Sequence, residues 1–121
     1  MKNTVLTDNK LKGTKTEKNL IEAVRAEGAA YARYAAFAKA AKNEGYEQIC
    51  GIFRKTADNE RVHAAVWLQE LGIISPDTRE NLISAAKTER YEWSVMYENF
   101  AAEAEEEGFF DIAEKCAEWL K

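Results

Sequence analysis

The sequence has few of the residues that break helices or build thiolate sites. It has one proline in 121 residues, and β-branched residues seldom alternate with polar ones, which argues against a fold rich in β-strands. The two cysteines, Cys50 and Cys116, lack the Cys-x-x-Cys spacing of zinc or redox sites. We therefore expect little or no sheet, and two small, partly buried thiols.

Long apolar runs and excess positive charge are also missing. No apolar run approaches the roughly 20 residues that a membrane-spanning helix needs, and the N-terminus has no hydrophobic signal core. The formal net charge of -4 gives no general attraction to nucleic acid or to an anionic membrane surface. We expect a cytoplasmic protein with no nucleic acid and no membrane as a partner.

Helical periodicity is what the sequence does contain. Residues 1–15 are polar and show no such period, so we predict a flexible N-terminal arm, followed by one helical domain over 16–121. The four predicted helices cover about 16–43, 46–71, 76–107 and 109–121, with Ser75 as N-cap and Pro76 as first residue of the third. Short connections at Gly45 and Gly108 make this an all-α antiparallel four-helix bundle built from two hairpins.

Two apolar helix faces are interrupted by ionisable residues. Glu27 interrupts the first helix, and Glu60 and His63 interrupt the second at positions where apolar side chains belong. Such a face should be buried, and burial of an unpaired carboxylate costs several kcal/mol by a rough estimate. Glu27 lies about 17 residues before the first turn and Glu60 about 15 after it, so their levels agree within roughly 3 to 4 Å.

The third helix adds Glu89 and Glu92, which lie on one face because they are three residues apart. Four glutamates and one histidine suit iron or manganese, and the lack of a cysteine ligand argues against a structural zinc site. Taken singly, Glu89 and Glu92 fit a solvated helix face and His63 fits a packed core histidine. The joint pattern favours a metal site.

Three tyrosines share faces with these residues. Tyr31 and Tyr34 follow Glu27 along its helix, and Tyr97 is expected one turn beyond Glu92. They fit an aromatic core, or they support the metal ligands by holding a carboxylate, delivering a proton or passing an electron.

The chain resembles the ferritin-like domain of the rubrerythrin family. The resemblance covers nearly all of residues 13–114 and is carried by the segments 13–20, 27–34, 44–49 and 52–63, and by Tyr91-Glu92-Trp93 with Met96-Tyr97. It implies that Glu27, Glu60, His63, Glu89 and Glu92 are di-iron ligands and that Tyr34 and Tyr97 are site tyrosines. The implied activity is reduction of hydrogen peroxide to water, as an NADH-linked or rubredoxin-linked peroxidase in oxidative-stress defence.

The sequence departs from that family in two respects. Members usually carry a further Glu and His late in the fourth helix, and often a C-terminal rubredoxin domain, and both are missing here. We therefore expect a separate, rubredoxin-like electron donor. The fourth helix spans roughly 20 Å where the others reach roughly 40 Å.

Three explanations of the shortened helix stay open. In the first, the chain is a truncated piece of a longer protein. In the second, a homodimer, with or without helix exchange, brings two first hairpins together and completes the ligand set. In the third, the site is degenerate: the chain keeps the bundle but holds one metal ion weakly or none. The alternative functions are a metal-poor module for oligomerisation, and iron binding or storage.

Overall fold

The structure, a computed structural model, describes residues 10–118. Most of the predicted arm, Trp119 and the end of the predicted fourth helix lie outside these residues. The elements are α1 (Lys15–Asn43), α2 (Glu47–Glu70), α3 (Thr78–Tyr91), a π-helical turn (Glu92–Met96), α4 (Tyr97–Glu106) and α5 (Phe110–Glu118). No strand occurs within 10–118, and none of these helices is long and apolar enough to cross a membrane. The chain divides into two compact units, Met1–Ile74 and Ser75–Lys121.

Helix α1 begins one residue before the predicted start, with a reciprocal cap. The Thr14 hydroxyl accepts a hydrogen bond from the Glu17 amide at 3.0 Å, and the Glu17 carboxylate accepts one from the Gly13 amide at 2.9 Å. This capping box satisfies two amides that the helix leaves without an internal partner.

The turn between α1 and α2 depends on Gly45. This residue has φ +89, a left-handed conformation that glycine adopts without steric cost. The Tyr46 amide donates to the Ala41 carbonyl at 2.9 Å and the Gly45 amide to the Lys42 carbonyl at 3.0 Å. This is the Schellman arrangement, which stops α1 and reverses the chain within three residues. The turn sets the register of α2 against α1.

Small side chains fill the seam between the two antiparallel helices. Ala38 and Ala41 of α1 pack against Cys50 of α2, and Cys50 is only 1% exposed. The rings of Tyr34, Phe37 and Phe53 meet beside this seam, with centroids 5.4 to 6.1 Å apart. Cys50 is thus a buried thiol, and Cys116 is half-buried, as expected for structural cysteines.

The start of α3 differs from the prediction. Asp77, not Ser75, is the N-cap, because its carboxylate accepts from the Arg79 amide at 2.9 Å. Pro76 therefore lies before the helix. Ser75 instead forms the preceding turn, since its backbone amide and carbonyl bond the Asn81 side chain at 2.9 and 2.8 Å. The carboxylate of aspartate competed successfully with the serine hydroxyl for the cap position.

The prediction of one uninterrupted third α-helix is wrong. Five residues, Glu92–Met96, form a π turn between α3 and α4, and the Tyr97 amide donates to the Glu92 carbonyl five residues earlier. The Ser94 hydroxyl donates to the Arg90 carbonyl at 2.7 Å, which gives that carbonyl a partner inside the widened turn. A π turn accommodates one extra residue within a helix. The second unit then reverses at Gly108, where the Phe109 amide bonds the Ala104 carbonyl at 2.8 Å.

Candidate metal centre

Three of the predicted ligands converge on one point of the first unit. Glu27 from α1 and Glu60 and His63 from α2 each offer one ligand atom, and these atoms all lie within 4.8 Å of one another. His63 Nδ1 is 3.0 Å from Glu27 Oε2, so an imidazole on one helix meets a carboxylate on the other. Within residues 10–118, no other group of three potential ligands meets this criterion.

Helical spacing explains why α2 supplies two of the three. Residues 60 and 63 are neighbours on one helix face because three residues make nearly a full turn. The antiparallel pairing set by Gly45 then brings residue 27 to their level, as the count from the turn predicts. Backbone register alone thus brings the three side chains together.

The expectation that this face is buried is wrong for His63. Its side chain is 56% exposed, whereas that of Glu27 is 21% exposed. The reason is that two helices enclose only the narrow seam between them, and alanine and cysteine side chains fill that seam. His63 lies at its margin and is therefore not a packed core histidine.

The Glu27 carboxylate perturbs Glu60. The pKa of Glu60 is raised above its ordinary value, first by hydrogen bonding with Glu27, then by desolvation and by the charge of Glu27. His63 and Arg33 lower the same pKa and offset part of the rise. A divalent cation bound between two neighbouring carboxylates offsets their repulsion. The three residues therefore fit a metal ion.

The donor atoms narrow the choice of metal. Two carboxylates and one imidazole are suited to iron, manganese or zinc, and no cysteine belongs to the cluster. A closed structural zinc site has four protein ligands, whereas this group has three. The geometry favours a centre at which an exogenous ligand binds the metal.

Tyr34 lies in the aromatic cluster of the first unit. Its ring stacks on Phe53 at 6.1 Å and meets Phe37 edge-on at 5.8 Å. The Arg33 guanidinium carbon lies 5.5 Å from the centroid of the same ring. Three neighbours thus fix the orientation of Tyr34, and Arg33 is a cation whose charge reaches both Tyr34 and Glu60.

The remaining predicted residues belong to the second unit. Glu89 is exposed near the end of α3, and Glu92 is half-buried as the first residue of the π turn. Tyr97 packs edge-on against Phe100, with ring centroids 5.9 Å apart. Because the turn has i to i+5 geometry, Tyr97 follows Glu92 by one π turn; in an α-helix a spacing of five would put it on another face.

Comparison with known proteins assigns the chain to a family. The rubrerythrin family model matches residues 18–121. The chain belongs to the rubrerythrin family. It is 46% identical over 116 residues to rubrerythrin from Porphyromonas gingivalis, an alignment that covers 85% of this chain and 58% of the relative. It is 44% identical over 119 residues to rubrerythrin-1 from Clostridium acetobutylicum, with 85% and 61% covered.

A third relative gives the same result. Rubrerythrin from Nitratidesulfovibrio vulgaris is 42% identical over 116 residues, covering 85% of this chain and 60% of the relative. The chain thus spans about three fifths of the length of these curated relatives. The predicted family and the all-α, ferritin-like fold class are confirmed.

Sequence reasoning missed two features near the predicted site. Arg33 was not singled out, although its position directly before Tyr34 was a signal that a cation accompanies that ring. The π turn was also missed, although the five-residue spacing from Glu92 to Tyr97 does not fit a shared face of an α-helix. The π turn depends on the local hydrogen-bond pattern of the helix, and the contact of Arg33 with the Tyr34 ring depends on the conformation of a long side chain.

Proposed function

We propose that this protein is a non-haem di-iron oxidoreductase of rubrerythrin type that reduces hydrogen peroxide to water. Electrons come from a separate, rubredoxin-like donor, and manganese is an alternative metal. The observation that supports this most directly is the convergence of Glu27, Glu60 and His63 within 4.8 Å. Family membership supports iron as the metal.

The proposed ligand set has five members: Glu27, Glu60, His63, Glu89 and Glu92. When bound, iron supplies the electrons and the Lewis acidity for cleavage of the O–O bond. Overall, hydrogen peroxide takes up two electrons and two protons and gives two molecules of water.

The protein side chains position the reactants. We assign the hydroxyls of Tyr34 and Tyr97 to hydrogen bonding with ligating carboxylates and to delivery of protons. The stacked ring of Phe53 and the edge of Phe37 restrict the directions in which the Tyr34 hydroxyl points. Tyr34→Phe should therefore slow turnover while iron binding is retained.

The test begins with anaerobic purification of the whole chain. Iron content, solution mass and peroxide consumption with a reduced donor are measured for wild type, Glu60→Ala and Glu22→Ala. Glu22 is an exposed glutamate of α1 and serves as the control. We expect turnover in wild type and in Glu22→Ala only. Retention of full iron content by Glu60→Ala would refute its assignment as a ligand.

The same measurements separate the other functions. Accumulation of many irons per site without turnover would indicate storage. A well-folded protein that binds no metal would indicate an interaction module. The solution mass tests the homodimer: one iron per chain in a dimer supports a site shared between two first hairpins, whereas two per chain support a complete site in each chain.

A further inference from the structure

A groove runs between α1 and α2 beside the predicted metal cluster. It encloses a cavity of about 600 Å³. Its lining includes two buried alanines, three cationic side chains and one tyrosine: Ala38, Ala57, Lys39, Lys42, Arg54 and Tyr31. We call it the cationic groove.

The charge of this groove opposes that of the chain. The chain has a formal net charge of -4, yet three cations line the groove against one carboxylate, Asp58. That carboxylate is occupied, because Asp58 Oδ1 accepts from Arg61 Nε at 3.0 Å and from Arg61 Nη2 at 2.9 Å. Within the described part of the chain, no ion pair involves Lys39, Lys42 or Arg54. The groove therefore presents positive charge to an incoming molecule.

The shape of the groove favours a protein over a small anion. From Tyr31 to Lys42 it follows α1 for about 16 Å, since each helical residue advances about 1.5 Å. Cations spread over that length match a row of carboxylates on a protein surface, whereas one phosphate reaches only part of it. The Tyr31 ring is 43% exposed at one end. Exposed tyrosines beside charged groups commonly anchor protein interfaces.

Tyr31 also connects the groove to the metal cluster. It follows Glu27 by four residues on α1, which is one helical turn or about 6 Å along the axis. A partner seated in the groove therefore lies close to the first predicted ligand. A short distance between partner and metal cluster is most useful when the partner transfers electrons to that cluster.

We propose that the cationic groove docks a small acidic electron-carrier protein. This inference rests on the proposed function, because that function includes a rubredoxin-like electron donor. Lys39, Lys42 and Arg54 steer and hold the acidic surface of the carrier, and Tyr31 supplies the apolar contact.

The test measures binding directly. An oxidised, acidic rubredoxin-type protein is titrated into the full chain at low ionic strength, and the Kd is obtained by calorimetry. The groove variant is Lys39→Glu with Lys42→Glu. The control is Lys15→Glu with Lys18→Glu, which makes the same charge change on the same helix outside the groove.

We expect the groove variant to weaken binding about tenfold or more, and the control about threefold or less, because screened long-range charge contributes less than charge at the contact. Tyr31→Ala should weaken binding without changing the net charge. Circular dichroism checks that each variant keeps its helices. Equal weakening by the two charge-reversal pairs would overturn the proposal.

This design separates failure of the groove from failure of the enzyme. Binding that depends on the groove in a protein without peroxidase activity would overturn the proposed function and leave the docking surface standing. Unchanged carrier binding in the groove variant, with an altered solution mass, would show that a second copy of this chain occupies the groove. Displacement of the carrier by inorganic phosphate at constant ionic strength would identify a small-anion site instead. Either result would overturn the proposal.

Discussion

His63 of α2 and Glu27 of α1 meet across the first hairpin, with 3.0 Å between Nδ1 and Oε2. The ligand atoms of Glu27, Glu60 and His63 all lie within 4.8 Å of one another. Glu27 thus lies close to both ionisable residues of the facing helix. An interaction that joins two helices makes hairpin stability and metal binding depend on the same side chains, and this dependence leads to measurable consequences.

Metal should stabilise the folded protein through this cluster. A ligand that binds only the folded state at 100 times its Kd adds about 2.7 kcal/mol to the free energy of unfolding. Addition of Mn²⁺ or anaerobic Fe²⁺ should therefore raise the Tm of wild type by several degrees. His63→Ala should lose most of that rise, while Glu70→Ala, at the end of the same helix, should keep it. Equal shifts in both variants would exclude His63 as a ligand.

The raised pKa of Glu60 predicts how the stability of the protein changes with pH. Because the pKa of Glu60 is raised in the folded protein, its stabilising contribution is complete below the ordinary glutamate pKa and is lost as the pH rises through the raised value. Glu60→Gln lacks this loss. In metal-free protein, the stability of Glu60→Gln relative to wild type should therefore increase from acidic pH to neutral pH.

The measurement is urea denaturation of wild type and Glu60→Gln at several pH values from acidic to neutral, with the unfolding midpoints compared at each pH. Glu70→Gln provides the control, since it removes a glutamate from the same helix away from the cluster. A constant difference in stability between wild type and Glu60→Gln at every pH would contradict the raised pKa of Glu60.

Replacement of Gly45 and of Gly51 by alanine should change the free energy of unfolding in opposite directions. Gly45→Ala should lower the free energy of unfolding by about 1 to 2 kcal/mol, because residue 45 has φ +89. Gly51→Ala should raise it by about 0.5 to 1 kcal/mol, since residue 51 lies inside α2 and an added Cβ meets no atom within 4 Å. Chemical denaturation of both variants provides the comparison. Stabilisation by Gly45→Ala would show that the turn adopts another conformation.

Removal of the π turn should lower metal affinity without lowering the stability of the metal-free protein. Deletion of Ser94 leaves Tyr97 four residues after Glu92, which keeps both on one face of an ordinary α-helix. The helix on either side then keeps its phase, so metal-free protein should retain its helical content and its Tm. If the π turn positions Glu92 as a metal ligand, deletion of Ser94 should lower the metal affinity about tenfold or more.

Ser94→Ala is the matched control for that deletion. It removes the hydroxyl that donates to the Arg90 carbonyl but keeps the five-residue turn. We expect a loss of about 0.5 to 1.5 kcal/mol in stability with metal affinity retained. A deletion variant that binds metal as tightly as wild type would show that the π turn has no part in the site.

Residue spacing was sufficient to predict much of the first unit. The positions of Glu27, Glu60 and His63 relative to Gly45 predicted that they lie at one level, and the structure brings their ligand atoms within 4.8 Å. That prediction succeeded because helical rise and periodicity are nearly constant along a chain. Assignment of Glu89, Glu92, Tyr34 and Tyr97 to the site stays a prediction.

Other features did not follow from spacing. The N-cap at Asp77 depends on which of two neighbouring side chains bonds an amide of the first helical turn: Asp77 accepts from the Arg79 amide, whereas Ser75 accepts from the Asp77 amide. The π turn depends on a small energy difference between two hydrogen-bond patterns in one helix. The exposure of His63 depends on the width of the seam between α1 and α2. Each is decided by local packing or by a balance of similar energies.

The sequence by itself determined the helices, the turn at Gly45 and the family, because periodicity, glycine conformation and residue identity are properties of the chain read in order. Only the tertiary structure decided that Glu27 lies close to both Glu60 and His63, and that three cationic side chains line a groove beside Tyr31. Those relationships join residues far apart in the chain, and they arise from how closely two helices approach and how their side chains turn.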